Sequence, residues 1–436
     1  MSWISQLDIL TSGDIVVCGG GPAGVLAALS AAKSGAHVVL LEQFGCLGGM
    51  ATSGLVPAII HLSDRRHWVT EGTPLELVRK LCRRMKQSGG PDPIWQIIDP
   101  EEMKSLLDEE AQAAGITVLF DVKLAAAQVE DGRIAALAVA GCNGLKQVQG
   151  KVFIDATGDG LLSQLSGVPF ELGDANGCTM SPTLCSQYSN IDLQQVKEAE
   201  ARGESAPALW NKFKEQIPLD EYHLVGVSTY GEGTGSGNLG HIYGINSVQE
   251  FERTQGYITG RKVARTIWEF YRRYVPGYAH ADLTATASLL GVRESRRVCG
   301  DYQLTIDDYN ARRHFDDEIA RFYYPIDIHA SSLDAKEQQE VCRRMQATAY
   351  QPGENYGIPY RALIPQGIAN LLVAGRCIST DQSIEASLRV MSGAMLTGRA
   401  AGLAAAIAAG ADGQVRAVPY EKLRQALLDD GAYLPS

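Results

Sequence analysis

The stretch DIVVCGGGPAGVLAALSAAKSGAHVVLLE, residues 14–42, decides the fold. Its apolar run Ile15–Cys18 predicts a short buried strand, Ala23–Lys33 predicts a helix of small and apolar residues, and His37–Leu41 predicts a second strand. A helix with so few large side chains can pack closely on a sheet. Strand, helix and strand in this order are typical of a parallel βαβ unit.

Three glycines with the spacing G-x-G-x-x-G join the first strand to the helix. Gly19 permits the tight turn, Gly21 lets the backbone approach a pyrophosphate, and Gly24 lets helix and strand pack closely. The N-terminus of the helix that follows offers unpaired N–H groups and a partial positive charge to phosphates. The segment therefore predicts a dinucleotide site, and the alternative is a glycine-rich turn that binds nothing.

Glu42 ends the second strand of this unit. A carboxylate at this place can accept hydrogen bonds from the hydroxyl groups of an adenosine ribose, and it would repel a 2′-phosphate. The position therefore argues against NADP. The motif by itself does not distinguish FAD from NAD.

The composition is that of an ordinary soluble globular protein. The chain has 436 residues, of which 45% are hydrophobic and 20% charged, so it can bury a large core and is expected to form two domains. The formal net charge of −11 and the pI near 5.3 argue against nucleic acid as a partner. The oligomeric state is left open.

Targeting and membrane signals are not evident in the sequence. The N-terminus lacks the basic and apolar regions of a signal peptide, and the apolar runs Ile15–Ala32 and Leu396–Ala409 are interrupted by glycines or polar residues. The nine cysteines are scattered and include no C-x-x-C pair, which fits a reducing compartment. We expect a cytoplasmic protein that does not span a membrane.

Hydrophobic patterns predict the remaining elements. The expected helices are Thr73–Gln87, Asp99–Ala114, Val248–Tyr274, a long helix that starts near Arg389 with Ser392 as its N-cap, and Tyr420–Asp430. The expected strands are Ile116–Phe120, Val122–Val129, Arg133–Ala140 and Lys146–Ile154, which together would form a small meander, and a buried strand at Asn370–Gly375.

Three separated segments form a set that resembles a known superfamily. They are GGGPAG with Glu42, DATGDG at 155–160, and NLLVAGR at 370–376 followed by RVMSGAM at 389–395. Together they resemble the FAD-dependent oxidoreductases of the glutathione-reductase-like superfamily. A closer resemblance is to its bacterial family of stand-alone FAD-dependent oxidoreductases. That likeness rests on LGGMATSGLV (47–56), GVRESRR (291–297), YPIDIH (324–329), IPYRALIP (358–365) and the segment from AGRCIS to SLRVM (374–391), and it spans residues 14–409.

The resemblance implies an α/β fold with a Rossmann-like FAD-binding domain built from discontinuous segments. An α+β substrate domain would be inserted into it. The expected division is 1–170 for the first part of the FAD domain, with the meander at about 116–154, then 171–345 for the inserted domain and 346–436 for the last part of the FAD domain.

The resemblance also implies the residues that hold FAD, with the glycine-rich turn and Glu42 on its ADP half. The expected set is Gly19, Gly21, Pro22, Ala23, Gly24, Glu42, Gln43, Leu47, Gly48, Gly49, Met50, Thr52, Thr157, Gly158, Asp159, Gly375, Arg376, Arg389, Met391 and Ser392. The helix start at Met391–Met395 would direct its dipole at the flavin and stabilise the reduced anion. Many superfamily members have Asp where this chain has Arg376, whereas the closer family also carries Arg.

Hydride transfer usually needs a residue that accepts or donates a proton, and two segments offer candidates. In the first, Arg296 would pair with Glu294 or bind a substrate carboxylate, with Arg293 beside them, because alternate residues of an extended segment share a face. The alternative is an interdomain cluster of ion pairs.

In the second segment, Asp327 stands two residues before His329 and would orient it as an acid or base. His241 is a further candidate, and a structural role is the alternative for both histidines. Arg361 and Arg389 are further anion-binding candidates. Cys46 is either a covalent anchor for the flavin or an ordinary thiol.

These features lead to the hypothesis of an FAD-dependent oxidoreductase that acts on a small organic substrate by hydride transfer at flavin N5. The arginine candidates favour an anionic substrate. A flavin monooxygenase and a non-catalytic FAD-bound assembly protein are the alternatives. No second dinucleotide fingerprint follows the first, so electrons would come from the substrate, from transiently bound NAD(P)H or from a redox partner. No metal site is expected, because no His, Cys and carboxylate cluster has ligand spacing.

Overall fold

The structure is a computed structural model that describes residues 3–175, 177–221, 224–332, 334, 343 and 349–435. Its strands are β1 (Ile9–Cys18), β2 (Val38–Leu41), β3 (Ala58–Ile60), β4 (Trp95–Ile97), β5 (Thr117–Leu119), β6 (Lys123–Glu130), β7 (Arg133–Gly141), β8 (Gly144–Asp155), β9 (Phe170–Leu172), β10 (Ser186–Ser189), β11 (Ser228–Tyr230), β12 (Thr234–Gly237), β13 (Asp282–Thr286), β14 (Arg296–Val298), β15 (Glu318–Phe322), β16 (Tyr356–Pro359) and β17 (Leu371–Val373). Its α-helices are α1 (Pro22–Lys33), α2 (Thr73–Arg84), α3 (Pro100–Ala113), α4 (Leu161–Leu165), α5 (Leu193–Ala201), α6 (Ala206–Phe213), α7 (Glu250–Tyr274), α8 (Ile306–Asn310), α9 (Gln382–Leu388), α10 (Met391–Ala409) and α11 (Tyr420–Asp429).

The central sheet is mixed and mainly parallel. Strands β5, β2, β1, β8 and β17 run parallel in this order. Strand β7 pairs antiparallel with the first half of β8, and β6 pairs antiparallel with β7. The residues of β2 and the last four of β1 are fully buried, as expected for strands covered on both faces. This architecture confirms the predicted α/β fold class.

The parallel strands end at one edge of the sheet. Cys18 pairs with Leu41 on one side and with Asp155 on the other, and Val373 pairs with Asp155. The loops after these strands therefore lie side by side, with the loop after β1 between the loops after β2 and β8. Ligands of open α/β sheets bind at such a switch point.

The helices α1 and α10 touch backbone to backbone beside this edge. A Cβ added to Gly398 would overlap the carbonyl oxygen of Ala23, and one on Gly402 would overlap that of Ala27. The two glycines lie one turn apart on the same face of α10. Because they have no side chains, the backbone of α1 packs directly against this face. The close contact fixes the starts of both helices next to each other.

A second core lies within the region predicted as the inserted domain. Strands β10 to β13 form an antiparallel sheet, and α5 to α7 pack against it around Trp210 and Tyr271. Strands β14 to β16 instead contribute Val298, Ile319 and Tyr356 to the main core. The predicted division at 171 and 345 itself stays a prediction.

Two expectations about local structure need correction. The strand expected at Ile116–Phe120 is β5, which extends the parallel sheet beside β2 and does not belong to the antiparallel meander of β6 to β8. The N-cap of α10 is Val390 rather than Ser392, because the helix already begins at Met391.

No single described helix is long and apolar enough to cross a membrane. Among the described helices, only α9 and α10 taken together reach that length and apolar content, and a 93° bend separates them.

Candidate active site

The glycine-rich turn after β1 has the geometry that the sequence predicts. Gly19 has a φ of 99°, and a Cβ there would overlap the carbonyl oxygen of Ala156 in the neighbouring loop. A Cβ on Gly24 would overlap the carbonyl oxygen of Gly19, so only glycine lets α1 start this close to the strand. Gly21 has no described atom within 4 Å of the place where a Cβ would stand.

The open space at Gly21 is bordered by the other predicted cofactor segments. A Cβ on Gly49 would lie 2.9 Å from the Cα of Gly21, and one on Gly375 would lie 3.0 Å from the Cβ of Ala23. The start of α1 has its first intrahelical bond from Val25 to Gly21, so the N–H groups before Val25 remain available to phosphate. These observations fit a dinucleotide such as FAD.

Glu42, the predicted ligand of a ribose, is buried directly after β2. One carboxylate oxygen accepts a hydrogen bond from Gly20 N at 2.6 Å and the other from Phe44 N at 2.9 Å. Burial raises the pKa of Glu42, and the N–H groups of Phe44, Gly20 and Gln43 oppose the rise. With these donors bound, the carboxylate still keeps a lone pair for a ribose hydroxyl. The side chain is thus held ready to accept from the cofactor.

Other predicted cofactor residues have side chains that bind within the protein. The hydroxyl group of Thr157 donates to Asp155 at 2.7 Å, and that of Ser392 donates to the carbonyl oxygen of Ile60 at 2.6 Å. Thr52 donates to the carbonyl oxygen of Leu47 at 2.6 Å, and Leu47 is fully buried. These residues shape the loops around the cofactor space. The remaining members, Gln43, Gly48, Met50, Gly158 and Met391, lie in those same loops or at the start of α10.

Arg376, which follows β17, ties three segments together at the cofactor edge. Its guanidinium donates to the carbonyl oxygens of Gly158 and Val292 and pairs with the carboxylate of Asp159. Asp159 also pairs with Arg253 of α7 at 2.9 Å. Burial would raise the pKa of Asp159, but the two arginines together lower it below its usual range.

The segment GVRESRR lies against this same edge but with a different pairing from the expected one. Glu294 pairs with Arg297, and Arg296 instead donates to the carbonyl oxygen of Asp159 at 3.1 Å and stacks on Phe170. Residues 292–295 precede β14 and are not part of a strand, so alternate residues do not share a face there. The expected pair of Glu294 with Arg296 is therefore wrong.

Arg297 lies between two buried carboxylates. It contacts Glu294 at 2.5 Å and Glu385 of α9 at 3.4 Å. Burial and the neighbouring Glu294 raise the pKa of Glu385 to about 8. One guanidinium thus serves two acids, and Glu385 holds a proton at neutral pH.

The predicted histidines meet in a row of four titratable side chains. His241 contacts Glu221 through Nδ1 at 3.0 Å and Nδ1 of His329 through Nε2 at 2.8 Å. Nε2 of His329 lies 3.4 Å from Oδ2 of Asp327, and the same oxygen accepts from Arg389 at 2.8 Å. We call Glu221, His241, His329 and Asp327 the acid–histidine row. Arg389 lies two residues before the first residue of α10, so the row ends beside the predicted flavin position.

Burial and charge set the protonation of the row. Burial lowers the pKa of His329 to about 3, with a further decrease from Arg293, against the opposing effect of Asp327. Burial also lowers the pKa of His241. Burial alone would raise the pKa of Asp327, but His329, Arg389 and Arg293 lower it far more. Both imidazoles are therefore neutral near pH 7.

His61 lies next to the row between two tyrosines. Its ring is 4.9 Å from that of Tyr323 and 4.7 Å from that of Tyr324, whose hydroxyl donates to Asp327 at 3.0 Å. Nδ1 of His61 and Oη of Tyr323 are buried with no hydrogen-bond partner among the residues that the structure describes. His61 has a φ of 58°, and burial lowers its pKa to about 4.

The other candidates lie outside this group. Arg361 forms an exposed bidentate pair with Asp317, which removes it from the anion-binding candidates. Cys46 has its sulfur 3.2 Å from the hydroxyl group of Ser53. No group of three or more possible metal ligands occurs within the described ranges. Sequence reasoning missed Glu221, because nothing in the run around it signals that its carboxylate is buried against His241.

Comparison with known proteins gives a family match. A profile of the family described as FAD dependent oxidoreductase matches residues 14–427. Digeranylgeranylglycerophospholipid reductase 2 of Methanopyrus kandleri is 25% identical over 194 residues, which are 43% of this chain and 46% of that protein. The chain thus spans about half the length of this curated relative.

Two similar solved structures cover almost the whole chain at low identity. A geranylgeranyl bacteriochlorophyll reductase-like protein of Thermoplasma acidophilum is 13% identical, with 95% of this chain and 82% of that chain covered and a TM-score of 0.46. The p-nitrophenol 4-monooxygenase of Pseudomonas putida is 14% identical, with coverages of 96% and 84% and a TM-score of 0.45.

Proposed function

Because the chain belongs to the FAD-dependent oxidoreductase family and is an enzyme that uses FAD, we propose that it transfers hydride between flavin N5 and a small anionic organic substrate. The observation that carries the proposal is the position of His329. It contacts His241 and Asp327, and Arg389 joins Asp327 to the start of α10. A base in this place can exchange a proton with a molecule at the flavin.

The residues around the cofactor space support binding of FAD. The turn at Gly19 to Gly24 and the carboxylate of Glu42 would hold the ADP half, and the start of α10 would lie at the flavin. FAD, when bound, supplies a site that accepts or donates hydride at N5. The protein contributes the orientation of the substrate and the proton that accompanies hydride.

Two arginines favour an anionic substrate. Arg293 is buried and donates to the carbonyl oxygen of Ser181 at 2.6 Å, and its charge affects both His329 and Asp327. Arg389 donates to Asp327, while its Nε has no acceptor among the described residues. A carboxylate or other oxyanion on the substrate would accept from that side of the guanidinium. The electron partner is proposed to be the substrate itself, NAD(P)H that binds transiently, or a redox protein.

Anaerobic mixing of the FAD-loaded protein with a panel of small molecules tests the proposal. The panel contains hydroxy, amino and unsaturated carboxylic acids, their methyl esters as uncharged controls, and NADH and NADPH. We expect the flavin absorbance to bleach with one acid much faster than with its ester, and Arg389→Gln to remove that preference. Flavin that is neither reduced nor reoxidised by any donor or acceptor would refute the proposal. Incorporation of oxygen into the product when the same mixtures are exposed to air would favour the monooxygenase alternative.

A further inference from the structure

The acid–histidine row contains four groups joined by three contacts. The contacts measure 3.0 Å between Glu221 and His241, 2.8 Å between His241 and His329, and 3.4 Å between His329 and Asp327. Each contact needs one proton to be a hydrogen bond. Carboxylates bring none, and two neutral imidazoles bring two. One of the three contacts therefore has no proton.

The distances identify that contact. The separation between Nε2 of His329 and Asp327 is the longest of the three, and Oδ2 of Asp327 instead accepts from Arg389 and Tyr324. His241 must donate from Nδ1, because Glu221 can only accept. His329 then donates from its own Nδ1 to Nε2 of His241. This arrangement leaves the lone pair of His329 on Nε2.

We propose that the acid–histidine row accepts a proton at Nε2 of His329 during turnover, and that Glu221 and His241 are positioning residues that keep this nitrogen unprotonated beforehand. The role in turnover rests on the proposed function, whereas the placement of the protons does not. The substrate's O–H or N–H bond breaks, its electron pair stays on the substrate, and an N–H bond forms at Nε2. No electrons are exchanged in this step.

Proton uptake completes the hydrogen bonding of the row. The three contacts then have three protons, and the net charge of the four groups changes from two negative charges to one. Among the residues that the structure describes, the charged and titratable groups that face the two imidazoles are Glu221, Asp327, Arg293 and Arg389, and Tyr243 stacks on His241 at 5.8 Å. The two arginines offset the two carboxylates before uptake, so the row is close to neutral with its lone pair available.

The substrate reaches the row from the Asp327 end. Oδ1 of Asp327 has no partner among the described residues, and this side chain is 19% exposed, whereas Glu221 at the other end is fully buried. The same end adjoins Arg389 and the start of α10. The proton-accepting nitrogen and the proposed flavin position therefore lie on the same side of the row.

Replacement of Glu221 by glutamine is expected to reverse the tautomers. In the native chain, Oε2 of Glu221 accepts from the backbone N–H of His241 at 2.7 Å, and both carboxylate oxygens lie 3.0 Å from Nδ1. In Glu221→Gln the amide oxygen stays on the backbone N–H, because that group only donates, so the NH₂ group takes the place of Oε1 beside Nδ1. We expect this NH₂ group to donate to Nδ1, so that His241 and His329 both hold their protons on Nε2. His329 would then lack the lone pair that receives the substrate proton.

Nitrogen-15 NMR of the FAD-loaded protein at pH 7 tests this placement directly. Long-range proton–nitrogen spectra of histidine-labelled protein distinguish the two tautomers, and His329→Gln and His241→Gln assign the signals among the eight histidines. We expect the proton on Nδ1 of both rings in the native protein and on Nε2 of both in Glu221→Gln. Glu318→Gln is the matched control, because Glu318 contacts Nδ1 of His314 at 2.8 Å outside the row. It should leave His241 and His329 unchanged.

The outcomes separate the two proposals. A native His329 with its proton on Nε2, or with protons on both nitrogens, would overturn the inference. The native spectrum decides this whether or not Glu221→Gln folds. With a reducing substrate, the rate of flavin reduction in Glu221→Gln should be at least about 100-fold lower than in the native protein across the pH range. Tautomers as expected without any reducing substrate would refute the proposed function but not the proton placement.

Discussion

Nε of Arg376 donates a hydrogen bond to the carbonyl oxygen of Gly158 over 2.9 Å, which links the loop after β17 to the loop after β8. The same guanidinium pairs with Asp159 and reaches the carbonyl oxygen of Val292. A single planar group thus holds together the three segments that border the cofactor. The resemblance to flavoproteins places this residue on the cofactor, whereas the structure assigns its donors to the protein.

Arg376→Lys should weaken FAD binding because the loops around the cofactor are held less firmly, and not because a contact with the cofactor is lost. An ammonium group cannot reach three acceptors in the fork geometry of a guanidinium, so the loop at Gly158 and Asp159 should loosen. We expect the dissociation constant for FAD to rise about tenfold and the free energy of unfolding to fall by roughly 1–3 kcal/mol. Fluorescence titration with FAD and thermal unfolding measure the two effects.

Arg361→Lys is the matched control for that substitution. Arg361 forms a bidentate pair with Asp317 on an exposed surface, where such pairs contribute about 0–1 kcal/mol. FAD affinity should not change in this variant. An equal loss of affinity in both lysine variants would contradict the positioning role of Arg376.

Gly21→Ala and Gly24→Ala should separate cofactor binding from folding. The Cβ of the first variant would enter the space where the pyrophosphate is expected, with no described atom within 4 Å, so the apoprotein should unfold at the same temperature. The Cβ of the second would overlap the carbonyl oxygen of Gly19 and should destabilise the apoprotein by several kcal/mol (roughly the upper range for strained or overpacked sites). Both should lose FAD, and calorimetry of apoprotein and holoprotein separates the causes. An intact FAD affinity in Gly21→Ala would remove the pyrophosphate from this turn.

Glu385 should make the protein less stable as the pH rises. Its pKa in the folded protein is about 8, because of burial and the neighbouring Glu294, and its ordinary value is 4.5. The folded state therefore binds the proton more tightly between these values, so the free energy of unfolding falls as the pH rises from about 4.5 to 8. Glu385→Gln should reduce that fall by at least about 1 kcal/mol, the equivalent of less than one pKa unit. Denaturant unfolding at pH 5.5 and 8.5 measures it.

Glu109→Gln controls for the change of charge, since Glu109 pairs with Arg84 and is itself well exposed. Its stability should follow the same pH dependence as the native protein. An equal pH dependence of stability in Glu385→Gln and the native protein would show that Glu385 is ionised in the folded state.

The backbone geometry of the glycine-rich turn could be predicted because its features are local in the sequence. The glycines at 19, 21 and 24 and the acid at 42 lie within one βαβ unit. The role of each residue can be predicted from its position in this unit, without knowledge of distant contacts. The predicted strand, helix and second strand correspond to the observed β1, α1 and β2 within a few residues, except that β1 starts at Ile9. Long periodic segments such as α7 were equally accessible to prediction.

The acid–histidine row could not be predicted in full, because its members come from separate loops. His329 and Asp327 adjoin each other in sequence, but Glu221 and His241 reach them only through the tertiary fold. The pairing of Glu294 with Arg297 depends on where β14 begins, which no local pattern fixes. The place of β5 in the parallel sheet likewise follows from pairing with β2 and not from its own residues.

His61→Phe should impair turnover and leave the fold intact. The phenyl ring can keep the packing against Tyr323 and Tyr324, and the Nδ1 atom that it lacks has no partner among the described residues. A left-handed φ of 58° is a strained conformation for a non-glycine residue and is often retained at functional sites. We expect a free energy of unfolding within about 1 kcal/mol of that of the native protein. We also expect kcat/KM to fall about 10–100-fold, which is the effect of one lost hydrogen bond to the substrate.

Tyr323→Phe is the companion variant, because Oη of Tyr323 is also buried without a described partner and its ring is 4.9 Å from that of His61. If both atoms bind the same substrate group, the double variant should lose less than the sum of the single losses in free energy. Steady-state kinetics with the substrate that reduces the flavin supplies the four values of this cycle. If both single variants keep native kcat/KM, ordered water rather than substrate satisfies the two atoms, and the substrate lies on the Arg293 side of His329.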